Sequence, residues 1–283
     1  MSNQSGTLFI VATPIGNLGD MSQRAQETLQ AVDLIAAEDT RHSKKLLQHF
    51  GINTPCQAYH EHNERETAGQ LLTRLQNGDS IAVISDAGTP LISDPGFHLV
   101  NLAQQADIKV VPIPGSSAIL AALATAGLPT DRFIFEGFLS SKQQARQKQL
   151  QSLANETRTL VLYESPHRIL ACLEDMLEIL GADRQVVLAR ELTKAYETVH
   201  RETLAGLVDW VKQDKNQQRG EIVLVVAGAD EPDPSQIDTE SEQVLKILLE
   251  YLPVKQAASA TASITGVKKN KLYARALEIK PGT

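Results

Sequence analysis

Residues that could bind and activate a polar substrate follow an apolar segment early in the chain. The four residues Leu34–Ala37 are apolar and predict a buried strand, and Glu38, Asp39, Thr40 and Arg41 come directly after it. A carboxylate held there could act as a general base, and an arginine guanidinium donates paired hydrogen bonds to a phosphate. Because Asp39 or Thr40 is expected to cap the helix that follows, Glu38 and Arg41 are the candidates to contact a substrate.

A second group of polar residues contains two histidines. His60 and His62 are two positions apart, and Glu61 and Glu64 stand beside them. On a strand the two imidazoles would share one face and could bind a metal ion. The alternative is that these side chains form the polar rim of a site or the N-cap of a helix.

Three loops rich in turn-forming residues follow predicted strands, at residues 12–20, 85–96 and 113–118. In open α/β sheets ligands bind beyond the carboxyl ends of the strands, and glycine lets backbone amides come close to them. In the third loop, Ser116 or Ser117 could cap the next helix or donate to a ligand. One such loop would be an ordinary tight turn, but three in one half of the chain indicate a ligand site.

The second half of the chain contains further candidates. Tyr163 stands at the end of a predicted strand, where its ring could pack against an adenine or be a half-buried core residue. Ser165 is expected to cap the next helix, with Pro166 in the first turn of that helix.

Several kinds of cofactor chemistry are excluded by motifs that the sequence lacks. No two of the 17 glycines are separated by a single residue, so the dinucleotide fingerprint and the kinase-type glycine loop are absent. The sequence also has no P-loop and no Gly-x-Ser-x-Gly nucleophile elbow. The three loops must therefore serve another kind of ligand site.

The composition is that of an ordinary globular protein. The chain has 283 residues, of which 42% are hydrophobic and 22% charged, with a net charge of −7. Cys56 and Cys172 are too few for a disulfide framework or a four-cysteine zinc site, which favours a reduced intracellular compartment. The uncharged stretch Val110–Thr130 is broken by prolines and a glycine, and no signal peptide is recognisable. We therefore expect a soluble cytoplasmic protein without a membrane segment.

Strand and helix patterns alternate along the chain, which predicts an α/β fold with largely parallel sheets covered on both faces. Apolar runs predict strands at Leu8–Ala12, Leu34–Ala37, Ile81–Ser85, Ile108–Ile113, Phe133–Phe138, Thr159–Tyr163, Val186–Arg190 and Ile222–Ala227. Helical periodicity occurs at Gln23–Val32, Thr67–Leu75, Phe97–Gln105 and Arg168–Leu180. The turn-forming segment Gly127–Asp131 is the expected boundary between two α/β domains, residues 1–128 and 129–229.

The C-terminal part of the chain divides into an acidic and a basic segment. Residues 230–243 contain six acidic residues, two prolines and no lysine or arginine, as expected of a solvated linker. Residues 244–283 form the last predicted region, in which Val254–Thr283 has six basic residues against one acidic residue. The apolar spacing there predicts two short helices around Gly266, which resemble a helix-turn-helix.

What the basic residues contact is left open by their positions alone. The C-terminal excess of positive charge favours nucleic acid, and the alternative is a helical hairpin that packs in a dimer. A second basic group, Lys142, Arg146 and Lys148, lies on one predicted helix. It could border RNA or be a solvated helix face.

Six ordered motifs resemble those of a known family, and the resemblance covers nearly the whole chain. They are Thr13-Pro-Ile-Gly-Asn17, Ala37-Glu-Asp-Thr-Arg41, His60-Glu-His-Asn63, Ser85-Asp-Ala-Gly-Thr-Pro90, Tyr163-Glu-Ser-Pro-His-Arg168 and Arg190-Glu-Leu-Thr-Lys194. With the lysine-rich C-terminal hairpin, they resemble the ribosomal RNA small subunit methyltransferase I family. That family is one of the tetrapyrrole-methylase-like groups of enzymes that use S-adenosylmethionine.

The resemblance implies a fold and an activity. We expect two α/β domains with S-adenosylmethionine in the cleft between them, no metal ion, and a homodimer. The expected reaction is 2'-O-methylation of the ribose of a cytidine in the decoding region of 16S ribosomal RNA. The RNA would be bound either free or within the small ribosomal subunit.

The loops and the motifs supply the candidate site residues. Four side chains are candidates for catalysis, namely Glu38, Arg41, His60 and Lys194. The candidate cofactor contacts lie in the three loops and at two positions of the second half. They are Ile15, Gly16, Asn17, Asp86, Gly88, Thr89, Pro90, Leu91, Ser116, Ser117, Tyr163 and Leu192.

Two other functions remain to be compared with this one. A methyltransferase of the same fold could act on a small molecule such as a tetrapyrrole, but such a substrate needs no basic appendage. A non-catalytic RNA-binding assembly factor would need no ligand loops at the strand ends. The basic C-terminal region and the three loops at strand ends together favour the RNA methyltransferase.

Overall fold

The computed structural model describes residues 5–230, 237 and 239–280. The chain forms two compact units, residues 1–229 and 230–283. Three of the six acidic residues of the predicted linker, and the last three residues of the chain, lie outside the described ranges. Among the described residues, no helix combines the length and the apolar character that a membrane crossing requires.

The first half of the larger unit is built on a parallel five-stranded sheet. Its strands are β1 (Thr7–Val11), β2 (Leu34–Ala37), β3 (Cys56–Ala58), β4 (Ile81–Ile84) and β5 (Lys109–Ile113), in the order β3-β2-β4-β1-β5. Between and after them lie helices α1 (Gln23–Ala31), α2 (Thr40–His49), α3 (Glu64–Gln76), α4 (Phe97–Gln105) and α5 (Ala118–Ala126). All strand pairs run parallel, as the sequence predicts for this half.

Helices cover both faces of this sheet because successive strand residues point to opposite sides. Leu8 belongs to one apolar core with Leu71 of α3 and Leu99 of α4. On the other face, Val11 shares a core with Leu29 of α1 and Leu47 of α2. Because these strands are parallel, the carboxyl ends of β1, β2 and β4 lie at one edge of the sheet, and the loops that follow them come together there.

The second half contains a mixed sheet. Its strands are β6 (Phe133–Phe138), β7 (Thr159–Glu164), β8 (Gln185–Arg190), β9 (Thr198–Thr203) and β10 (Ile222–Val226), in the order β6-β7-β10-β8-β9. β6 and β7 are parallel, but β10 runs antiparallel to both of its neighbours and β9 runs antiparallel to β8. The prediction of largely parallel sheets is wrong for this half.

Three helices cover one face of the second sheet, and a helix from the first half covers the other. Helices α6 (Gln143–Leu153), α7 (Ile169–Leu180) and α8 (Leu204–Gln213) form the first of these layers. On the opposite face, Ile119, Ala122 and Leu123 of α5 share a core with Val161 of β7 and Val225 of β10. Since α5 precedes the predicted boundary at Gly127–Asp131, it joins the two halves by apolar packing.

Two local expectations in the second half are wrong. Helix α7 begins at Ile169 with Arg168 at its N-cap, so Ser165 and Pro166 belong to the preceding turn. Arg146 neither borders RNA nor lies on a solvated face. Its side chain is 5% exposed and donates from Nε to Oδ2 of Asp175 at 2.6 Å, because α6 packs that side against α7.

The smaller unit contains three helices around a small core. They are α9 (Thr239–Tyr251), α10 (Val254–Thr265) and α11 (Lys269–Ile279), with buried Leu245, Leu249, Ala257, Ala258, Leu272 and Ala276 between them. The two short helices predicted around Gly266 are confirmed, and Gly266 ends α10 in the left-handed conformation, at φ 76°. Helix α9 is an addition to the predicted elements, and it begins within the segment expected to be an acidic linker.

Candidate active site

A cleft of about 370 Å³ lies between the two halves of the larger unit, and both halves line it. Of the twelve residues expected to contact a cofactor, six line this cleft: Ile15, Gly88, Thr89, Ser117, Tyr163 and Leu192. The other six do not line it: Gly16, Asn17, Asp86, Pro90, Leu91 and Ser116. Each of them is within two residues of one that does, so the expected loops surround the cleft. Their assignment as cofactor contacts stays a prediction.

The first two loops are fastened to each other by their backbones. Thr13 and Gly88 exchange two hydrogen bonds, with N···O distances of 2.8 and 3.0 Å. The Gly88 amide is therefore engaged within the protein and is not free to bind a ligand. A side chain at Gly88 would stand 3.2 Å from Cγ2 of Ile15, and the φ angle of +83° favours glycine.

The third loop is tied to the second and leaves one hydroxyl at the cleft. The Thr89 hydroxyl donates to the Ser116 carbonyl oxygen at 3.1 Å. Ser117 occupies the N-cap position of α5, but its side chain makes no capping hydrogen bond. Its hydroxyl is thus available to a polar ligand in the cleft.

Two strained segments present apolar side chains to the cleft from opposite sides. Leu91 and Ser93 have φ angles of 72° and 66°, and Ile92 lies between them. In the second half Glu191 and Thr193 have φ angles of 51° and 67°, and they flank Leu192. Non-glycine residues in this conformation are strained by about 1–3 kcal/mol each, and such strain concentrates at functional sites.

Three carboxylates gather where β2 and β4 end. The Asp86 backbone N–H donates to Oε2 of Glu38 at 3.3 Å, and the Asp39 N–H donates to Oδ1 of Asp86 at 3.1 Å. Burial raises the pKa of Glu38, and the charges of Asp86 and Asp39 add to this effect. Burial and the charge of Glu38 raise the pKa of Asp94 to about 6. Among Glu38, Asp86 and Asp94, it is Asp94 that lines the cleft.

The predicted catalytic residue Arg41 lies outside the cleft, on the surface. Its side chain is 91% exposed and pairs with Asp39 at 3.0 Å, which lowers the pKa of Asp39 to about 2. Asp39 is also the N-cap of α2, as expected, since its Oδ1 accepts from the Arg41 backbone N–H. Arg41 is thus free at its outer side to contact a large anionic substrate.

His60 also stands beside the cleft and not in its lining. Strand β3 ends at Ala58, so His60 and His62 lie in a turn and do not share a strand face as the metal hypothesis required. No group of three His, Cys, Asp or Glu side chains in residues 5–230, 237 and 239–280 could hold a metal ion. His60 lies near Glu38 and lowers the pKa of that carboxyl.

Lys194 connects the two halves at the edge of the cleft. Its Nζ pairs with Glu191 at 2.9 Å and with Glu221 at 3.0 Å, and its alkyl chain lies against Gly16. Burial lowers the pKa of Lys194, but the hydrogen bonds with the two glutamates outweigh it and raise the pKa. The raised pKa favours the charged form of Lys194, and its catalytic role stays a prediction.

Tyr163 is half-buried, as one of its two sequence-based descriptions expected, and its packing against an adenine stays a prediction. Its ring makes an edge contact with Phe135 at 5.0 Å, and it lines the cleft. Burial and the nearby carboxylates Asp94 and Glu221 raise its pKa to about 12, so the phenol stays neutral.

Three carboxylates of the cleft, those of Asp94, Glu164 and Glu221, were not among the predicted site residues. Asp94 lies in the second loop, whose turn residues are recognisable, but nothing in the sequence separates it from the other aspartate there. Glu221 precedes β10, and its place in the cleft depends on the insertion of that strand between β7 and β8. No local pattern could have indicated it.

Comparison with protein families identifies the class. Residues 7–208 match the family model of Tetrapyrrole (Corrin/Porphyrin) Methylases, and residues 235–280 match that of the RsmI C-terminal HTH domain. Among solved structures, diphthine synthase has a TM-score of 0.60 at 17% identity, over 78% of this chain and 90% of that one. The uroporphyrin-III C-methyl transferase of Thermus thermophilus, complexed with S-adenyl homocysteine, has a TM-score of 0.54 at 16% identity. That alignment covers 78% of this chain and 97% of the solved one. The fold is that of a tetrapyrrole methylase.

Closer relatives identify the family within that class. The ribosomal RNA small subunit methyltransferase I of Pseudomonas aeruginosa is 58% identical over 97% of this chain and 98% of its own length. The protein of the same name from Escherichia coli O157:H7 is 54% identical, over 98% of this chain and 96% of its own length. The chain belongs to the ribosomal RNA small subunit methyltransferase I family.

Proposed function

We propose that this protein transfers a methyl group from S-adenosylmethionine to the 2'-oxygen of a cytidine ribose in the decoding region of 16S ribosomal RNA. The observation that carries the proposal is the cleft between two methylase halves, in a chain that belongs to this family over nearly its whole length. The relatives' name supports small-subunit ribosomal RNA as the substrate. The ribose oxygen and the cytidine rest on the motif resemblance.

The cleft has the size and the lining that S-adenosylmethionine requires. Its volume of about 370 Å³ lies in the usual range for small-molecule sites, roughly 300–1,000 Å³. Ile15, Leu192 and the ring of Tyr163 offer apolar surface to an adenine, and the hydroxyl of Ser117 offers a hydrogen bond. A related fold was solved with S-adenyl homocysteine, which supports the same class of ligand here.

The chain's own residues would act by holding the reactants in line and keeping water out. S-adenosylmethionine supplies an electrophilic methyl group, and alignment of the acceptor oxygen with it contributes much of the rate. Ile92 and Leu192, held by their left-handed neighbours, close the cleft with apolar surface from both halves. Lys194 stays charged, so we infer that it fixes the loop of Gly16 against Glu191 and Glu221 and takes no proton.

The substrate RNA would lie across the carboxyl edge of the first sheet. Arg41 is exposed there, and its guanidinium suits a phosphate. Glu38 and His60 lie beside the cleft lining, with Glu38 near Asp94, where they set the charge around the acceptor hydroxyl. We also propose that the protein is a cytoplasmic homodimer, to be checked by light scattering of the purified protein.

The deciding experiment is methylation with labelled S-adenosylmethionine. We expect transfer to small ribosomal subunits or to 16S RNA, with the label mapped to one cytidine and alkali-resistant at its ribose. Transfer to a tetrapyrrole instead would favour the small-molecule alternative. Tight RNA binding without any transfer would favour the assembly factor and would contradict the proposal.

A further inference from the structure

Asp94 occupies a special position among the ionisable side chains of the cleft. Within the part of the chain that the structure describes, four ionisable side chains line the cleft, namely Asp94, Tyr163, Glu164 and Glu221. Asp94 lies in the loop between β4 and α4, two residues after Ile92, whose neighbours have left-handed backbone conformations. The loop is thus held in one strained conformation, with Asp94 half-buried at the cleft.

Of the other three groups, two form ion pairs and the third keeps its proton. The Glu164 side chain is 1% exposed and pairs with Arg168 at 2.6 Å. Glu221 pairs with Lys194 at 3.0 Å, which holds it at the edge of the cleft. Tyr163 keeps its proton, since its pKa is raised to about 12.

Asp94 differs because no lysine, arginine or histidine forms an ion pair with it within the part of the chain that the structure describes. The charged groups that face it are acidic, with Glu38 from the end of β2 and Asp86 from the end of β4. Tyr163 of β7 faces it from the second half and stays neutral. Burial and these like charges raise the pKa of Asp94 to about 6, while a hydrogen bond with the Ser85 side chain lowers it.

We propose that Asp94 is the general base of the reaction and accepts the proton of the attacking substrate hydroxyl. This inference rests on the proposed function. As the hydroxyl oxygen bonds to the methyl carbon, the carbon–sulfur bond breaks and its electron pair stays on sulfur. The hydroxyl proton passes to the Asp94 carboxylate, and it leaves to solvent after the products separate. A base of this strength is ionised at neutral pH and accepts a proton more readily than an ordinary aspartate does.

The pH dependence of the single-turnover rate tests the proposal directly. The rate of the unmodified protein is expected to rise with pH and to level off above about 6, because Asp94 must be ionised to act. Asp94→Asn is expected to lower the rate about 100-fold or more and to remove this inflection. Its affinity for S-adenosylmethionine, measured by calorimetry, should stay within about threefold.

Two further variants separate a base from a structural residue. Glu38→Gln removes a like charge, so it should move the inflection to lower pH without abolishing it. Asp209→Asn, an exposed carboxamide substitution on α8, is the matched control and should leave the profile unchanged. Carbon-13 NMR of the aspartate carboxyls, recorded without substrate, should show one group that titrates near pH 6 and disappears in Asp94→Asn.

The outcomes distinguish this inference from the proposed function. If the unmodified protein methylates ribosomal RNA and Asp94→Asn keeps both rate and inflection, Asp94 is not the base. Loss of the inflection in Glu38→Gln alone would transfer the role to Glu38 and overturn the proposal. Equal losses of rate and S-adenosylmethionine affinity in Asp94→Asn would show a binding role instead. An unmodified protein without methylation activity would refute the proposed function itself.

Discussion

Single residues at the cleft perform more than one task, and Gly88 illustrates this best. The sequence suggests that glycine brings the backbone close to a ligand, but both backbone groups of Gly88 bind Thr13. Its importance comes from its positive φ angle and from its contact with Ile15, which itself lines the cleft. A side chain at this position would therefore disturb both the loop and the site.

We predict that Gly88→Val lowers the affinity for S-adenosylmethionine at least tenfold and the free energy of unfolding by about 1–2 kcal/mol, since left-handed conformations disfavour a side chain. Calorimetry and urea unfolding measure the two effects. Gly51→Val is the matched control, because Gly51 has a φ angle of +67° and nothing within 4 Å of a Cβ. It should lose stability but keep its affinity. Equal affinity losses in both variants would contradict a specific role for Gly88.

Arg41 permits a cleaner test because its side chain is 91% exposed, and within the described part of the chain its ion pair is with Asp39. Arg41→Ala should reduce methylation of ribosomal subunits about tenfold through weaker RNA binding, with unchanged affinity for S-adenosylmethionine. Because surface ion pairs contribute little to stability, the free energy of unfolding of Arg41→Ala should hardly change. Arg74→Ala, which breaks the Arg74–Asp79 pair of the same half, is the control. Similar activity in the two variants would exclude a substrate contact at Arg41.

At the level of elements, the sequence predicts what depends on local pattern and misses what depends on distant pairing. The strands of the first sheet are recognisable because most are apolar runs followed by a turn. The direction of β10 is not, since a strand covered on both faces is apolar throughout whether its neighbours run parallel or antiparallel. The packing of α5 on the second sheet is also not visible in the sequence, because it joins residues that are far apart along the chain. Six of the predicted cofactor contacts line the cleft because loops at strand ends are visible in a sequence.

The pairing of α6 with α7 gives a prediction at this scale. Arg146 and Asp175 are 5% and 3% exposed, and Gln143 and Gln147 also donate to Asp175. Arg146→Ala leaves a buried carboxylate without its cation, so it should lower the free energy of unfolding by about 3–5 kcal/mol. Lys212→Ala is the control, because Lys212 of α8 forms an exposed ion pair with Glu174 of α7. It should lower the free energy of unfolding much less. If urea unfolding showed comparable losses of free energy in the two variants, burial of the Arg146–Asp175 pair would not contribute to stability.

At the level of the whole molecule, charge is divided unequally along the chain. The net charge is −7, yet Val254–Thr283 has six basic residues against one acidic residue. Two of the basic residues serve the smaller unit itself. Arg275 pairs with Glu242 and Glu278, and Lys280 donates to the Leu249 carbonyl oxygen. Lys268, Lys269 and Lys271 are exposed around the start of α11 and form no ion pair within the described residues. These three lysines, and the exposed Lys255 of α10, are the ones available to RNA phosphates.

We therefore predict that changing Lys268, Lys269 and Lys271 together to Gln weakens RNA binding and flattens its salt dependence. For single-stranded RNA, removal of one phosphate-binding lysine reduces the log–log slope by about 0.7, so the slope should fall by about 2. Affinity for S-adenosylmethionine should not change, because the cleft is lined by residues of the larger unit. The control variant changes the exposed Lys109, Lys212 and Lys215 to Gln, which alters the net charge equally and should keep the slope. If the lysines instead served subunit packing, light scattering would show a lower mass for the first variant while its slope stayed the same, and that result would refute the assignment to RNA.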